Sequence, residues 1–217
     1  FALVAAPVAA KVVPSLTAPG RDITGVTHVA TLESQLEAIR TYRPFSRLGV
    51  LYNAAERNSV ATAEGLRQLA ASQRFQLIEQ VFDRDADGKA VATSVEEKIR
   101  NMKQAGAEWL YLGPDTYLFS QIERVANAAM AQRLPTFSAT EAALNGKAPV
   151  LAGLVSSYYT IGQFAGYKAE QILLGKQAAR AIPIESLSRY SFIVRIDVAK
   201  QLDVLPPVSL FNYATIR

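Results

Sequence analysis

Short apolar runs alternate along this chain with longer segments in which apolar residues recur every three or four positions. A short apolar run bounded by turn residues predicts a buried strand, whereas the longer spacing predicts an amphipathic helix. The clearest runs are LGVLY (48–52), WLYL (109–112) and PTFS (135–138). Strands that alternate with helices in this way predict a parallel sheet with helices on both faces, a doubly wound α/β fold.

The helices of the central region follow from their caps and apolar faces. Thr31 is the predicted N-cap of the first helix, and Asn58 that of the second. Ser94 and Glu97 have the spacing of a capping box for a helix that continues through Ala105. The predicted central helices are 31–43, 59–73, 94–105 and 117–132, and a further strand is predicted at 75–82.

The pattern is less regular at both ends of the chain. At the start we predict a strand at Phe1–Ala5, a short helix from Pro7 and a strand at 23–27. After residue 149 we predict a strand, a long helix ended by Gly175, a proline-bearing linker and another strand, at 150–155, 159–174, 178–188 and 191–196. The last twenty residues are expected to wrap a surface.

The amino-acid composition argues against several classes of protein. Half of the 217 residues are hydrophobic and 19% are charged, as in a globular domain with a substantial core. The net charge is +4, but Lys and Arg never form a run and no nucleic-acid-binding motif accompanies them. Cysteine is absent, which excludes disulfides and thiolate metal sites and is compatible with an oxidising compartment.

Groupings that would catalyse a reaction are missing from the sequence. None of the nucleophile-elbow, zincin, Walker or dinucleotide-binding motifs occurs. The single histidine, His28, follows a predicted strand near a possible hinge, and it has no second histidine or cysteine with which to hold a metal. The acidic pairs at 96–97 and 83–87 lie where solvated structural roles are expected. The chain is therefore predicted to bind a ligand rather than transform one, with no cofactor and no metal.

Polar residues follow the apolar runs, and they form the candidate ligand shell. Ligands of parallel α/β sheets bind outside the carboxyl ends of the strands. The candidates are Tyr52, Asn53, Asn58, Ser59, Asp115, Thr116, Ser138, Ser157 and Tyr158. Asp115 has two open roles, since it can pair with a ligand ammonium or cap the following helix, and Asn58 can likewise be only a cap. The adjacent Tyr158 and Tyr159 can stack on a ring or pack a helix.

These same segments resemble one known family in order and content. GRDITGVTH, RLGVLYNAAERNSV, WLYLGPDT, LPTFSATEAAL, SSYYTIGQFAGYKAEQILLGKQAARAIPIES and FIVRIDVAKQLDVLPP follow one another as in ABC-transporter substrate-binding proteins, in the subfamily that includes tryptophan- and tyrosine-type components. The loop YNAAE keeps Tyr52, Asn53 and Glu56 of a family YNPSE loop but lacks its proline. Ser157 stands where many amino-acid-binding relatives have Asp before the paired tyrosines.

The resemblance implies a two-lobed periplasmic-binding-protein fold with three crossings between the lobes. Residues 1–28 and 150–178 would form an incomplete first lobe, residues 29–149 and 186–204 the second, and 205–217 a tail. Such a protein holds a small-molecule solute in its cleft outside the cytoplasm and delivers it to a membrane permease. The implied solute is an amino acid or an aromatic acid, and hinge motion near 28–31 and 178–188 would close the lobes.

An incomplete first lobe has further expected consequences. The second-lobe loops would be open to water, so this chain alone would bind its solute weakly. Apolar surface on the strand Phe1–Ala5 and the helix 159–174 would favour self-association. Two other functions remain open from the sequence: the ligand-sensing domain of a cytoplasmic regulator, and a small α/β enzyme that uses Asp115 as acid or base.

Overall fold

A computed structural model describes all 217 residues. The first half of the chain forms α1 (Leu32–Tyr42), β1 (Arg47–Tyr52), α2 (Arg57–Gln73), β2 (Gln76–Val81), β3 (Asp83–Arg84), β4 (Ala90–Val91), α3 (Val95–Gln104) and β5 (Trp109–Leu112). The second half forms α4 (Thr116–Ser120), α5 (Ile122–Ala131), β6 (Thr136–Ser138), α6 (Ala142–Asn145), β7 (Ala152–Val155), α7 (Tyr158–Leu173), β8 (Ser191–Val194), α8 (Ile196–Leu202) and β9 (Thr215–Ile216). None of these helices combines the length and apolar character needed to cross a membrane.

Seven strands form one sheet in the order β2-β1-β5-β6-β7-β8-β9. The first five are mutually parallel, and β8 runs antiparallel to β7. This mostly parallel sheet between helices confirms the predicted α/β fold class. Residues 152–155, which the sequence analysis placed with the first lobe, pair inside this sheet, while the division of the chain into lobes stays a prediction.

The core has two layers, one on each face of the sheet. Alternate residues of β5 enter different layers: Trp109 and Tyr111 join one cluster, while Leu110 and Leu112 join the other. This is the two-residue period of a strand that is buried on both faces. Each fully buried side chain of this size contributes roughly 1.5–3 kcal/mol to folding, so the covering helices are required to keep both layers dry.

Helix α1 has the predicted start. The Thr31 side chain accepts a hydrogen bond from the backbone N–H of Ser34, and Leu36 and Ile39 are fully buried on the inner face. The predicted N-cap is therefore confirmed, since its hydroxyl satisfies one of the backbone donors that a helix leaves free at its first turn.

Two other predicted capping bonds do not form, although α3 does begin directly after Ser94 as predicted. Helix α2 begins at Arg57 with Glu56 before it, so Asn58 lies inside the first turn and is not the cap. Ser94 makes no capping bond, because its hydroxyl donates to the Asp83 carboxylate, which also binds Lys98 Nζ at 2.6 Å. A hydrogen bond to a charged carboxylate is stronger than the neutral bond of a capping box.

The predicted helix 117–132 is two helices, α4 and α5, which meet at Gln121. The end of the chain also differs from the prediction. The predicted strand 191–196 ends at Val194, because Ile196 already begins α8, and the final residues pair with β8 as the short parallel strand β9. Only the last residues of the tail thus join the sheet, while residues 205–214 lie outside it.

The N-terminal segment is less regular than predicted. Only Ala2 makes a bridge, to Val26, so Phe1–Ala5 is not a strand, and turns replace the predicted helix after Pro7. Leu3 and Lys11 have left-handed backbone torsions, with φ of 61° and 59°, and neither a strand nor a right-handed helix accommodates such torsions.

Three stretches of chain run side by side at the carboxyl end of β7. Val26 forms a parallel bridge with Glu185, and Val29 forms an antiparallel bridge with Val155. Lys168 of α7, only 3% exposed, donates to the carbonyls of Gly25 and Pro183 and forms an ion pair with Glu185 at 2.9 Å. We call the stretches that contain Val26–Val29, Val155–Ser157 and Pro183–Glu185 the crossing segments.

Candidate functional site

The candidate site is a cavity of about 260 Å³ at the carboxyl ends of β1, β5 and β6. The loops after these strands supply one wall, and the N-terminal segment, His28 and Tyr158 supply the other. Since β2 and β5 lie on opposite sides of β1, the strand order reverses here. Ligands of open α/β sheets bind at such a switch point.

The structure brings together five of the nine sequence-predicted residues. These five line the cavity: Asn58, Asp115, Thr116, Ser138 and Tyr158. The other four, Tyr52, Asn53, Ser59 and Ser157, are not among its lining residues. Whether any of the nine contacts a ligand stays a prediction.

Asp115 performs the capping role that the sequence left open. Its Oδ1 accepts from the backbone N–H of Leu118 at 2.8 Å, and its Oδ2 accepts from the backbone N–H of Asn53 at 2.6 Å. The residue is 5% exposed and lines the cavity. The carboxylate thus begins α4 and positions the loop after β1, and each oxygen keeps a lone pair for a ligand.

Glu56 is a second carboxylate in the cavity wall, and it was not among the predicted site residues. It accepts hydrogen bonds from the backbone N–H and the hydroxyl of Thr116, each at 3.0 Å for the nearer oxygen. The loop after β1 is thereby held against the start of α4. The retained YNAAE loop, which includes Glu56, was the signal that could have identified it.

His28 is a titratable lining residue that the predicted set also omitted. It is 6% exposed, its Nδ1 has no hydrogen-bond partner, and its ring meets that of Tyr158 edge-to-face at 5.6 Å between centroids. Burial lowers the pKa of His28 to about 4 and raises the pKa of Tyr158 above its ordinary value, so both side chains are neutral near pH 7. Only its being the sole histidine, after a strand near a possible hinge, pointed to it.

Hydroxyl groups close the β6 side of the cavity. Ser138 donates through Oγ to the carbonyl of Thr140 and accepts from the Thr140 backbone N–H, so it fixes the turn after β6. Glu141, in the same turn, accepts from the backbone N–H of Tyr158 at 2.6 Å. Ser157 caps α7 by accepting from the Thr160 N–H. The last two bonds fix the backbone at the start of α7, where Tyr158 lies.

The remaining predicted residues have structural partners elsewhere. Tyr52 Oη accepts from Arg67 at 3.1 Å and contacts Glu79 at 3.4 Å, in a surface network beside β2. Asn53 Oδ1 accepts from the backbone N–H of Ala55. Ser59 is buried in the first turn of α2, and its hydroxyl has no partner.

The charge and polarity of the lining restrict what it can hold. Glu56 and Asp115 are carboxylates, and no Lys or Arg lines the cavity. Apolar side chains form its floor: Leu112, Leu118, Phe119 and Ile122. No group of three or more acidic or histidine side chains is arranged to hold a metal ion. The arrangement suits a ligand with one cationic group and one apolar part.

Matches to known proteins show the family of this chain. Residues 1–216 match the family model of ABC transporter substrate binding proteins. A tyrosine-binding protein of Clostridioides difficile is 26% identical over 199 residues, which are 91% of this chain and 54% of that protein. The chain therefore spans about half the length of this curated relative.

Solved structures share the fold over the whole chain. A conserved domain protein from Vibrio cholerae has a TM-score of 0.85 and 25% identity over 100% of this chain and 70% of its own. An ABC domain from Streptococcus pneumonia in complex with L-Trp has a TM-score of 0.80 and 20% identity, over 100% of this chain and 72% of its own. A ligand-free, open substrate binding protein from Clostridium difficile has a TM-score of 0.76 and 23% identity, over 99% of this chain and 69% of its own.

Proposed function

The chain belongs to the family of ABC transporter substrate-binding proteins, and we propose that its cavity captures an amino acid with an apolar or aromatic side chain for delivery to a membrane permease. The observation that carries the proposal is the cavity lining: two carboxylates, no Lys or Arg and a set of apolar side chains. The family assignment comes from the match over residues 1–216.

The two carboxylates favour a solute that carries an ammonium group. Glu56 and Asp115 place negative charge in the wall, and opposite charges attract more strongly where water is partly excluded. An aromatic acid without an amino group would bring a further negative charge to the same wall. Of the two solute classes that the resemblance implied, the amino acid is the better match.

The start of α2 supports a place for the carboxylate of the same solute. The first backbone N–H groups of a helix have no intrahelical partner, and the Glu56 side chain does not cap them. Ser59, in this turn, has a buried hydroxyl that can donate and has no partner, and the neighbouring Asn58 lines the cavity. Free donors at a helix start, together with the helix dipole, favour an anion.

The apolar floor would hold the side chain of the amino acid. Relatives that bind tyrosine or L-Trp make a large aromatic side chain the first one to test. Contacts of an apolar ring with Leu118, Phe119 and Ile122 would release water and contribute about 25 cal/mol per Å² of buried area.

In this proposal the chain performs no chemistry on its solute and acts outside the cytoplasm. The crossing segments would serve as the hinge. Lys168 and the two bridges hold them side by side, and the two lobes that they connect would rotate about them. Closure would bring the wall with His28 and Tyr158 towards the strand-end loops and would create the surface that the permease recognises.

Self-association stays part of the proposal. The exposed face of α7 carries large apolar side chains, of which Tyr159 is 76% and Leu173 is 85% exposed. Exposed apolar surface of this kind favours association in water. Light scattering on this chain is expected to show species larger than a monomer, and a strictly monomeric chain would refute this part.

Calorimetry with a matched solute panel tests the function. The panel contains L-tyrosine and L-tryptophan, the amines tyramine and tryptamine, and 3-(4-hydroxyphenyl)propanoate and 3-indolepropanoate. We expect the amino acids to bind most tightly and the acids without an amino group least. Preference for the acids would contradict the proposed role of the carboxylates, and turnover of any bound compound would contradict the non-enzymatic function.

A charge-neutral variant identifies the cavity as the binding site. Glu56→Gln removes one wall charge while keeping a side chain that can still accept from Thr116. Glu64→Gln is the control, because Glu64 lies farther along α2 on the exposed surface. The first variant is expected to weaken amino-acid binding and the second to leave it unchanged; equal effects would place the site elsewhere.

A further inference from the structure

We propose that His28 is the cationic partner of the solute, taking up a proton from solvent when a solute carboxylate enters the cavity. The inference rests on the proposed function and adds a proton to the binding reaction. It follows from the position of His28, from its unpartnered nitrogen and from the charges of the surrounding wall.

His28 has a position in which solute binding and hinge closure both affect it. It lies in a crossing segment, between the bridge of Val26 to Glu185 and the bridge of Val29 to Val155. Its ring lines the cavity and packs against Tyr158 at the start of α7. A solute atom that binds this imidazole would therefore contact a crossing segment directly.

The imidazole has an unfilled hydrogen-bonding position although it is almost fully buried. Only 6% of the residue is exposed, and Nδ1 has no partner in the protein. Most buried polar atoms of native proteins have a partner, because leaving one unpaired costs free energy. Nδ1 is itself shut off from the cavity in this conformation, so a solute oxygen would provide the missing bond only after closure of the cavity walls turns the ring towards it.

His28 is the only residue lining the cavity that can become positively charged. The other titratable groups of the lining are Glu56, Asp115 and Tyr158, and Glu141 contacts the Tyr158 backbone from the turn after β6. Lys168, the cation packed against the crossing segments, is engaged by Gly25, Pro183 and Glu185. The free N–H groups at the start of α2 carry no full charge, so the carboxylate of a solute would have no cation to pair with unless His28 is protonated.

Protonation of the His28 ring and binding of a solute carboxylate should favour each other. In the free chain burial holds the pKa of His28 at about 4, so the ring is neutral near pH 7. A neighbouring carboxylate favours the imidazolium form and raises this pKa. Solute binding should therefore tighten as the pH falls from the pKa of the complex to that of the free chain, by about tenfold for each unit between them.

Nuclear magnetic resonance can measure this pKa without interference, because His28 is the only histidine in the chain. The chain carries an isotope label in the imidazole ring. It is titrated with acid twice, once without solute and once with saturating L-tyrosine or L-tryptophan. The amines tyramine and tryptamine serve as probes that lack only the carboxylate. We expect both amino acids to raise the His28 pKa by about one unit or more, and the amines to leave it unchanged or lower it.

Calorimetry of His28→Asn provides the second measurement. At a pH between the His28 pKa of the free chain, about 4, and that of the complex, the wild-type chain should take up protons on binding an amino acid, seen as an enthalpy that depends on the buffer, and the variant should not. An amino acid that binds without changing the His28 pKa overturns the inference but leaves the proposed function intact. An equal pKa rise with the amines also overturns it. Because this chain alone is expected to bind weakly, the panel is carried to millimolar solute; if no solute binds even there, the proposed function fails and the inference fails with it.

Discussion

Asp115 Oδ2 accepts the backbone N–H of Asn53 at 2.6 Å, which joins the loop after β5 to the loop after β1. The same carboxylate begins α4 through Leu118, so one buried side chain orders two loops of the cavity wall. The two strands are neighbours in the sheet, and the contact lies where the strand order reverses. The residue that the sequence offered as either cap or ligand is thus at least the organiser of the site.

Asp115→Ala should destabilise the chain as well as open the cavity wall. It leaves the N–H groups of Asn53 and Leu118 without their acceptor, and each unpaired buried donor costs about 1–3 kcal/mol. Asp115→Asn keeps one acceptor oxygen and should therefore lose less stability than Asp115→Ala. Urea denaturation measures both. A variant with alanine that is as stable as the wild type would mean that these bonds do not form in solution.

Tyr52→Phe should leave solute affinity within about twofold of the wild type, as expected for a surface change away from the site. The hydroxyl contacts Arg67 and Glu79 beside β2 and does not line the cavity. Asn58→Ala is the matched comparison, because Asn58 does line it, and we expect a loss of affinity there. If Tyr52→Phe weakens binding and Asn58→Ala does not, the solute occupies a different place.

The stability of the chain without solute should decrease on acidification because of His28. Its folded pKa of about 4 lies below the ordinary histidine value of 6.5, so between these pH values the unfolded chain binds more protons. The difference corresponds to a loss on the order of 3 kcal/mol by the acid end of that window, since one pKa unit is worth about 1.4 kcal/mol.

Comparison with His28→Asn isolates this contribution from that of the carboxylates. The free energy of unfolding, measured by denaturant titration across the window, should fall more steeply for the wild type than for the variant. Parallel curves would mean that the ring is solvated in the folded chain.

Gly153→Ala should destabilise the sheet, whereas Gly162→Ala should stabilise the chain. A Cβ at Gly153 would lie 2.5 Å from the Ser138 carbonyl oxygen and 2.8 Å from Leu144 Cδ1, and such overpacking costs about 1–3 kcal/mol. A Cβ at Gly162, inside α7, would meet nothing within 4 Å, and alanine is favoured over glycine in a helix by roughly 0.5–1 kcal/mol. Thermal unfolding of the two variants should shift in opposite directions, and a shift in the same direction would contradict the close approach of β7 to β6.

Several elements of the fold were predictable from local pattern. The strands at Arg47–Tyr52 and Trp109–Leu112 and the helix begun by Thr31 follow from apolar spacing and a hydroxyl cap, which act over a few residues. The same reasoning located Asp115 and Ser138 at strand ends, where a parallel sheet binds its ligands. These features depend on neighbours along the chain, and the sequence displays those neighbours directly.

The tertiary structure decided which partner each polar group has. Ser94 bonds Asp83 instead of capping its helix, Asp115 bonds Asn53 of another loop, and Tyr52 joins Arg67 away from the cavity. These bonds form between residues from 11 to 62 positions apart, and local pattern cannot rank competitors at such separations. His28 became a candidate only when the crossing segments placed its ring in the cavity wall, because burial and missing partners are properties of the packed chain.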